Sequence, residues 1–365
     1  MRVSARGAVI AGAWVKGDIE VDDGRLVRAG LPSTGRGYVL PGLVDLQVNG
    51  YGGVDFNDAA AEDFERAFAA LARDGVLHVQ PTVITDSEDN VVRQLRVLGK
   101  LQESALRGAK VVGVHAEGPF LSPHHRGVHR TEHLRDPDIG IVRRFLDAGP
   151  LRTITVAPEL PGALELIAWA AGEGVIVQAG HSGADTATAY AAFDAGARAV
   201  THLFNGMIAF SHRAPGIAGA TLNREEVAIQ LIADDIHLAR ETSLFALKAA
   251  GHRVMLVTDA ASPAGAGDGD FTVGGFTVTV TEGVPRLPDG TLAGSTVTLL
   301  QQVRKLVEHD WPIDRAVNLA SRAPARFYGL TGAGELTLGG PADLIVTDEN
   351  VAVERVLVSG EEFAA

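Results

Sequence analysis

Residues 174–202 read GVIVQAGHSGADTATAYAAFDAGARAVTH and contain two short apolar runs, each closed by a histidine. The runs at 174–181 and 197–202 are typical of buried strands, and the alanine-rich segment 186–196 between them predicts a crossover helix. Strand, helix and strand in this order indicate a parallel sheet. Because parallel strands end on one rim, we expect His181 and His202 to face the same site.

The same rhythm recurs through the middle of the chain. Eight apolar runs occupy residues 39–48, 76–83, 111–115, 153–157, 175–179, 198–202, 227–233 and 254–258. Helix formers at helical spacing lie between them, for example at 61–73, 90–103, 161–172 and 241–250. Eight such units over roughly 250–300 residues predict an α/β fold of the (β/α)8 TIM-barrel type. A doubly wound sheet is the alternative, and it would gather ligand groups near one switch point.

The sequence pattern at both chain ends differs from that of the middle. Residues 1–38 and 334–365 carry short β-prone pieces that are too small to bury a core alone. We therefore expect them to pair as one small β-sandwich domain, with the barrel occupying 39–333. Residues 271–293, which include a Pro288-Asp289-Gly290 turn, predict a β-hairpin inserted into the barrel, and helical pattern returns at 297–307 and 313–321.

Composition narrows the class of protein. The 365 residues include no cysteine, which excludes disulfides and thiolate metal sites and agrees with a reducing cytosol. The net charge of −13 disfavours nonspecific nucleic-acid binding. Residues 1–30 lack the apolar core of a signal peptide, and 18 apolar residues never occur in a row. We therefore expect a cytoplasmic protein with no membrane partner.

Polar residues end several of the predicted strands. Glu117 ends the third strand, His181 the fifth, His202 the sixth and Asp259 the eighth. One carboxylate and two imidazoles with an open fourth position are typical of catalytic zinc, and such an ion lowers the pKa of water towards ~7. Asp259 is then placed to accept a proton and return it to a leaving group. Each residue alone has a structural explanation, but four such groups at one rim favour a metal site.

Three further residues give weaker evidence for a functional role. His129 lies in the loop after Glu117, where it is well placed to reach the same rim. Arg213, in the loop Ser211–Gly216, offers a planar guanidinium that recognises phosphate or carboxylate, although an exposed surface arginine explains it equally well. His252 precedes the eighth strand and is therefore expected at the opposite rim.

An ordered set of motifs then points to a known family. They are Pro41–Asp45 with Asn49-Gly50, His115–Phe120, Gly127–His129, Gly180–Ser182, Thr201–Asn205, His212-Arg213 with Pro215-Gly216, Thr258–Ala260 and Leu292–Ser295. With these motifs the chain resembles the N-acetylglucosamine-6-phosphate deacetylase family of the amidohydrolase superfamily over essentially its full length.

The resemblance implies a metal-dependent barrel that removes acetate from N-acetylglucosamine 6-phosphate, in amino-sugar catabolism and cell-wall sugar recycling. It implies that Glu117, His181 and His202 bind one divalent ion, Zn²⁺, and that Asp259 is the general base and acid. His129 would polarise the acetyl carbonyl and stabilise the oxyanion.

The same resemblance implies the substrate contacts. The phosphate and the sugar would meet Val128, His129, Asn205, the backbone of Gly206, Arg213 and His237. Leu292, Ala293 and Gly294 would close over the acetyl end. Members of the family are usually homodimers, so a neighbouring subunit would complete the phosphate site.

Four positions depart from the family pattern. Gln47 and Asn49 stand where some members have two histidines that hold a second metal, and amides are poor ligands for transition ions, so we predict one metal per site. Gly206 replaces a more usual alanine, which should spare a backbone contact. Asp235 stands where glycine is common, and an extra carboxylate near a phosphate pocket makes the role of His237 doubtful.

Two other functions remain compatible with the sequence. A different amidohydrolase, such as a cyclic-amide hydrolase, would use the same barrel and ligands. A non-catalytic barrel is the more distant alternative, although such a protein would be expected to lose a ligand or Asp259.

Overall fold

Eight parallel strands form a barrel in the computed structural model, which describes residues 1–104 and 107–363. They are β1 (Leu43–Val48), β2 (Val76–Ile84), β3 (Val114–Glu117), β4 (Leu151–Val156), β5 (Ile176–Ala179), β6 (Ala199–Val200), β7 (Ala228–Leu231) and β8 (Val254–Leu256). Each strand pairs with the next in chain order.

The last strand returns to the first. The Asp259 amide donates to the Gln47 carbonyl at 3.0 Å, and Val48 forms a parallel bridge with Ala260. Sequential pairing with closure is the topology of a TIM barrel, whereas a doubly wound sheet stays open and reverses its strand order. The predicted fold class is therefore confirmed.

Ten helices accompany the strands in the described part of the chain. They are α1 (Ala61–Arg73), α2 (Glu88–Glu103), α3 (Ile139–Ala148), α4 (Ala163–Gly172), α5 (Thr186–Ala195), α6 (Gly216–Leu222), α7 (Arg240–Ala250), α8 (Leu299–Glu308), α9 (Ile313–Ala320) and α10 (Arg322–Tyr328). Helix α10 follows α9 directly and was not predicted. None of the described helices is long and apolar enough to cross a bilayer.

The first predicted strand, 39–48, is divided between two sheets. Residues Tyr38–Pro41 pair antiparallel with Leu344–Thr347, and only Leu43–Val48 enters the barrel. The hydrogen bonds change partner at this point, because the Gly42 amide donates to Asp343 whereas the Leu43 amide donates to Gly75. Both halves are apolar and buried, so hydrophobicity alone does not reveal the division.

The chain termini build two small sheets that form a β-sandwich beside the barrel. One contains Arg2–Val3, Asp18–Asp22 and Arg25–Leu31. The other contains Gly7–Ile10, Ala13–Lys16, Tyr38–Pro41, Leu344–Thr347, Val353–Val358 and Glu361–Glu362. Their inner faces share one apolar cluster that includes Ile19, Leu26, Leu344 and Leu357. The small β-sandwich expected from both termini is therefore present.

The insertion after β8 has three strands rather than the predicted two. Gly269–Val273, Phe276–Thr281 and Val284–Arg286 form an antiparallel sheet. The chain reverses a second time at Glu282 and Gly283, whose φ angles are +51° and +75°. Remaining short elements are the strands Gly50–Tyr51, Val54–Asp55 and Lys110–Val111 and the 3₁₀ turns Thr131–His133 and Gly251–Arg253.

Candidate active site

Four of the predicted side chains converge at the carboxyl end of the barrel. Nε2 of His181 and Nε2 of His202 lie 3.1 and 3.0 Å from Oε1 of Glu117, and the two nitrogens are 3.1 Å apart. Asp259 joins them through Gln47, whose Nε2 donates to Glu117 Oε1 at 3.0 Å and to Asp259 Oδ1 at 3.1 Å. Residues separated by more than 140 positions thus form one cluster.

The backbone is unusual where the strands end. His181, His202 and Asp259 have φ angles of +47°, +29° and +49°. Side chains other than glycine rarely adopt this left-handed region, and it persists where the surrounding structure enforces it. All three residues line the cavity at this mouth of the barrel.

The donor set fits a divalent ion. Nδ1 of His181 donates to the carbonyl of His125 at 2.8 Å, so in the neutral ring Nε2 carries a bare lone pair. That lone pair faces Glu117 Oε1 at 3.1 Å, an arrangement that repels unless a cation lies between them. Zn²⁺ bonds of 2.0–2.2 Å would separate tetrahedral ligand atoms by about 3.3–3.6 Å, close to the spacing here.

The charges of these groups are strongly coupled. Burial would raise the pKa of Glu117, but the adjacent imidazoles of His181 and His202, which stabilise the carboxylate when they are protonated, outweigh it and hold that pKa well below its ordinary value. For His202, burial is outweighed by the Glu117 carboxylate, and the pKa is raised. Burial and the negative charge of Glu117 raise the pKa of Asp259, which favours a role in proton transfer.

A second grouping also satisfies metal-site geometry, because Glu117, His129 and His181 offer ligand atoms within 4.8 Å of one another. The Thr85 amide and hydroxyl lie 3.2 and 2.9 Å from His129 Nδ1. An amide N–H only donates, so Nδ1 accepts and the neutral ring carries its proton on Nε2. Burial and neighbouring His181 lower the pKa of His129 to about 3. His129 is therefore a neutral donor, and His202 is the better third ligand.

Gln47 and Asn49 occupy the place of the second-metal histidines with amide groups. Asn49 Nδ2 donates to Asp259 Oδ1 at 2.7 Å, and Gln47 donates to the same oxygen. Asp259 Oδ1 thus accepts two N–H donors, and neither amide directs a nitrogen lone pair towards a cation. They also leave Oδ2 of Asp259 without a bond to either amide.

A cavity of about 400 Å³ opens above the cluster. The predicted residues that line it are Glu117, Val128, His129, His181, His202, Asn205, Gly206, His237, Asp259, Leu292 and Gly294. Ala293 is buried in an apolar cluster with Ala261 and Val278 instead of facing the cavity. Arg213 is exposed and lies outside the described lining, so the structure does not bring it to the cavity of its own chain.

Asp235 does not intrude on this cavity. Its carboxylate pairs with Nζ of Lys305 at 3.2 Å and with Nε2 of His309 at 3.1 Å, both at helix α8. His237 lines the cavity, and its Nδ1 bonds Asp234 Oδ2 at 2.7 Å. The doubt that Asp235 cast on His237 therefore has no basis in the geometry.

Gly206 has a local reason to be glycine. Its φ is +56°, and a Cβ there would lie 2.9 Å from Nδ1 of His181. A side chain at this position would crowd the ring that the His125 carbonyl orients.

Two residues that line or support the site were not predicted from the sequence. Thr85 follows β2 directly and connects His129 to the Glu117 carbonyl, to which its hydroxyl donates at 3.0 Å. The rule that found the histidines, a polar residue closing a strand, also applies to Thr85. Arg286 of the inserted sheet lines the cavity as well, and no pattern in the sequence marks it.

Fold and site together define a class, the metal-dependent hydrolases built on a TIM barrel. Residues 38–363 match the amidohydrolase family, and the chain belongs to that family. The predicted resemblance is thus confirmed.

Several proteins within this family are similar to the chain over most of its length. The chain is 34% identical to the N-acetylgalactosamine-6-phosphate deacetylase of Escherichia coli O157:H7, over 88% of this chain and 87% of that protein. It is 34% identical to the human N-acetylglucosamine-6-phosphate deacetylase, over 95% and 90% of the two chains. The Mycobacterium smegmatis N-acetyl-D-glucosamine-6-phosphate deacetylase, solved as a mutant with N-acetyl-D-glucosamine-6-phosphate, superimposes with a TM-score of 0.94 at 34% identity, covering 100% and 99%.

Proposed function

We propose that the protein hydrolyses N-acetylglucosamine 6-phosphate to glucosamine 6-phosphate and acetate, within amino-sugar catabolism and cell-wall sugar recycling. The observation that carries this proposal is the convergence of Glu117, His181, His202 and Asp259 beneath one cavity. Relatives named as deacetylases of phosphorylated N-acetyl hexosamines support the choice of substrate class.

Glu117, His181 and His202 would hold one divalent ion per chain, and we propose Zn²⁺. One carboxylate oxygen and two imidazole nitrogens suit zinc and leave a position open for substrate. When bound, such an ion lowers the pKa of water and withdraws electron density from a carbonyl oxygen. The amides of Gln47 and Asn49 favour a single ion.

Asp259 and His129 would do the proton chemistry. Asp259 takes a proton from the attacking water as the water oxygen bonds to the acetyl carbon. The C–N bond then breaks, and Asp259 passes that proton to the departing amine. His129 donates from Nε2 to the acetyl oxygen, where negative charge develops in the tetrahedral intermediate.

Substrate recognition would use the rest of the cavity. Asn205, the Gly206 backbone and His237 would contact the phosphate and hydroxyls, and Val128 lies beside His129. Leu292 and Gly294 would cover the acetyl methyl, with the buried Ala293 supporting the turn between them. We propose that the protein is a homodimer in which Arg213, exposed on its own chain, completes the phosphate site of the partner.

A second substrate deserves the same test, because one relative is named for N-acetylgalactosamine 6-phosphate. The two sugars differ only in the configuration at C4.

The deciding experiment measures acetate release from both sugar phosphates by the metal-loaded protein, with and without a chelator. We expect release that the chelator abolishes, together with about one transition ion per chain by elemental analysis. Two tightly held ions would contradict the proposed roles of Gln47 and Asn49. Cleavage only of unrelated amides would favour another amidohydrolase activity, and protein without metal or activity would favour a non-catalytic barrel.

A further inference from the structure

A second cavity, of about 580 Å³, lies at the amino end of the barrel, opposite the candidate active site. Its wall includes Leu151 and Ile176, the first residues of β4 and β5, and Arg198, which directly precedes β6. Phe327 and Tyr328, at the end of helix α10, form another side. Nothing in the proposed hydrolysis uses this end of the molecule.

This cavity carries concentrated positive charge in an acidic protein. Arg152, Arg198 and Arg326 line it, and the described lining contains no carboxylate. Among the described residues, none of these three guanidinium groups has a carboxylate within 4.0 Å; the paired arginines nearby are Arg224 and Arg322. Because the chain has a net charge of −13, this cavity is a locally basic region of an acidic protein.

An adjoining cavity of about 420 Å³, which shares Arg326 and Phe327, provides the contrast. There Arg322 pairs with Glu335 at 3.2 Å, and Arg253 donates to the carbonyls of Thr221, Arg224 and Val227 at 2.7–3.1 Å. Apart from the shared Arg326, the cations of the adjoining cavity thus have acceptors within the protein. The guanidinium groups of the larger cavity keep N–H donors that no carboxylate of the described residues accepts from.

Aromatic rings hold two of the guanidinium groups in place. Arg152 lies over the Tyr328 ring, 4.7 Å from its centroid, and donates to the Tyr328 carbonyl. Arg198 lies over the Phe327 ring at 5.5 Å. Tyr328 is itself buried and bonded through its hydroxyl to Thr153. A stacked guanidinium is oriented in advance and keeps its N–H edges available for an oxyanion.

We propose that the cavity at the amino end is a binding site for a small phosphorylated molecule. Guanidinium groups match phosphate oxygens in paired, charge-assisted hydrogen bonds, and three of them more than neutralise a dianion. The volume is in the range of small-ligand pockets, roughly 300–1,000 Å³. Leu151, Ile176 and Phe327 supply apolar contacts for the body of the ligand. The proposal is independent of the reaction at the other mouth.

Site-resolved chemical modification tests it on the full-length, metal-loaded protein. Phenylglyoxal modifies accessible arginines, and peptide mass spectrometry reports the rate at each one. We expect inorganic phosphate and glucose 6-phosphate to slow modification of Arg198 and Arg326 several-fold. Arg315, exposed on α9 and outside both cavities, serves as the control and should react at an unchanged rate.

An arginine variant distinguishes phosphate bound in this cavity from nonspecific ionic screening by phosphate. In Arg198→Ala, protection of Arg326 should need about tenfold more phosphate, because one charge-assisted contact is lost. In the matched Arg315→Ala variant, protection of Arg326 should occur at the wild-type concentration. The proposal is overturned if phosphate slows the modification of Arg198, Arg326 and Arg315 alike. It is also overturned if phosphate protects Arg326 equally well in Arg198→Ala. Because the experiment reads the modified peptides directly, phosphate bound at the carboxyl mouth does not affect the conclusion.

Discussion

The two mouths of the barrel place different ionisable groups in opposite environments. At the carboxyl mouth, Glu117 is 2% exposed, and the pKa of Asp259 is raised by burial and by Glu117. At the amino mouth, Arg152, Arg198 and Arg326 are exposed to solvent, and two of them rest on aromatic rings. Proton transfer needs groups whose ionisation the protein perturbs, whereas anion recognition needs cations that stay charged. The same eight strands support both.

The largest expected effect concerns Asp259. We expect Asp259→Asn to fold and bind metal but to lose about 10²–10⁴-fold in kcat, because an amide cannot take the proton from water. Steady-state turnover of N-acetylglucosamine 6-phosphate and the metal content of the same sample provide the measurement.

The matched control is Asp235→Asn at the same mouth. Asp235 points towards Lys305 and His309 rather than into the cavity, so this variant should turn over at nearly the wild-type rate. Near-normal turnover of Asp259→Asn would remove that residue from the mechanism.

His129 distinguishes a proton donor from a metal ligand. We expect His129→Ala to lose about 10²–10³-fold in kcat, the cost of one donor to the oxyanion, with an unchanged metal content. His129→Gln keeps an N–H donor and should lose less. If metal is lost from both variants, the alternative ligand set of Glu117, His129 and His181 is correct.

The smallest effect concerns stability near the carboxyl mouth. Burial raises the pKa of Asp45 to about 7, although hydrogen bonds from Thr258 and the Gln47 amide oppose it. The folded chain therefore keeps a proton that the unfolded chain loses near pH ~3.9. Between these values, the Asp45 contribution to the free energy of unfolding falls as pH rises, by up to ~1.4 kcal/mol per pH unit.

Asp45→Asn should lack this pH-dependent contribution to the free energy of unfolding. Urea unfolding of both proteins between pH 5 and 8 gives the difference in free energy of unfolding at each pH. The wild type should lose stability relative to the variant as pH rises to about 7, and then run parallel to it. Curves that stay parallel throughout would show that Asp45 is ionised in the folded protein.

The carboxyl mouth was largely predictable from sequence. His181 and His202 close apolar runs at equivalent positions, and parallel strands must bring such positions to one rim. The helix predicted at 61–73 begins and ends where α1 does, because its apolar residues follow helical spacing. The three-stranded insertion was mispredicted as a hairpin, since Val284–Arg286 is too short to show alternation.

The amino mouth was not predictable. Arg152 lies at the start of β4, Arg198 directly precedes β6, and Arg326 lies within α10. A single arginine at any of these places is ordinary. Helix α10, which brings Phe327 and Tyr328 beneath two of them, merges in sequence with the preceding α9.

The barrel, the small terminal sandwich, and the residue types expected of a metal-dependent hydrolase could be predicted from the sequence alone. Periodic burial and strand-end chemistry are local properties, so they can be read along the chain. Tertiary structure decided that Asp235 faces α8, that Thr85 sets the proton on His129, and that Arg213 lies away from the cavity of its own chain. Those outcomes depend on the direction in which each side chain leaves the backbone, and distant packing sets that direction.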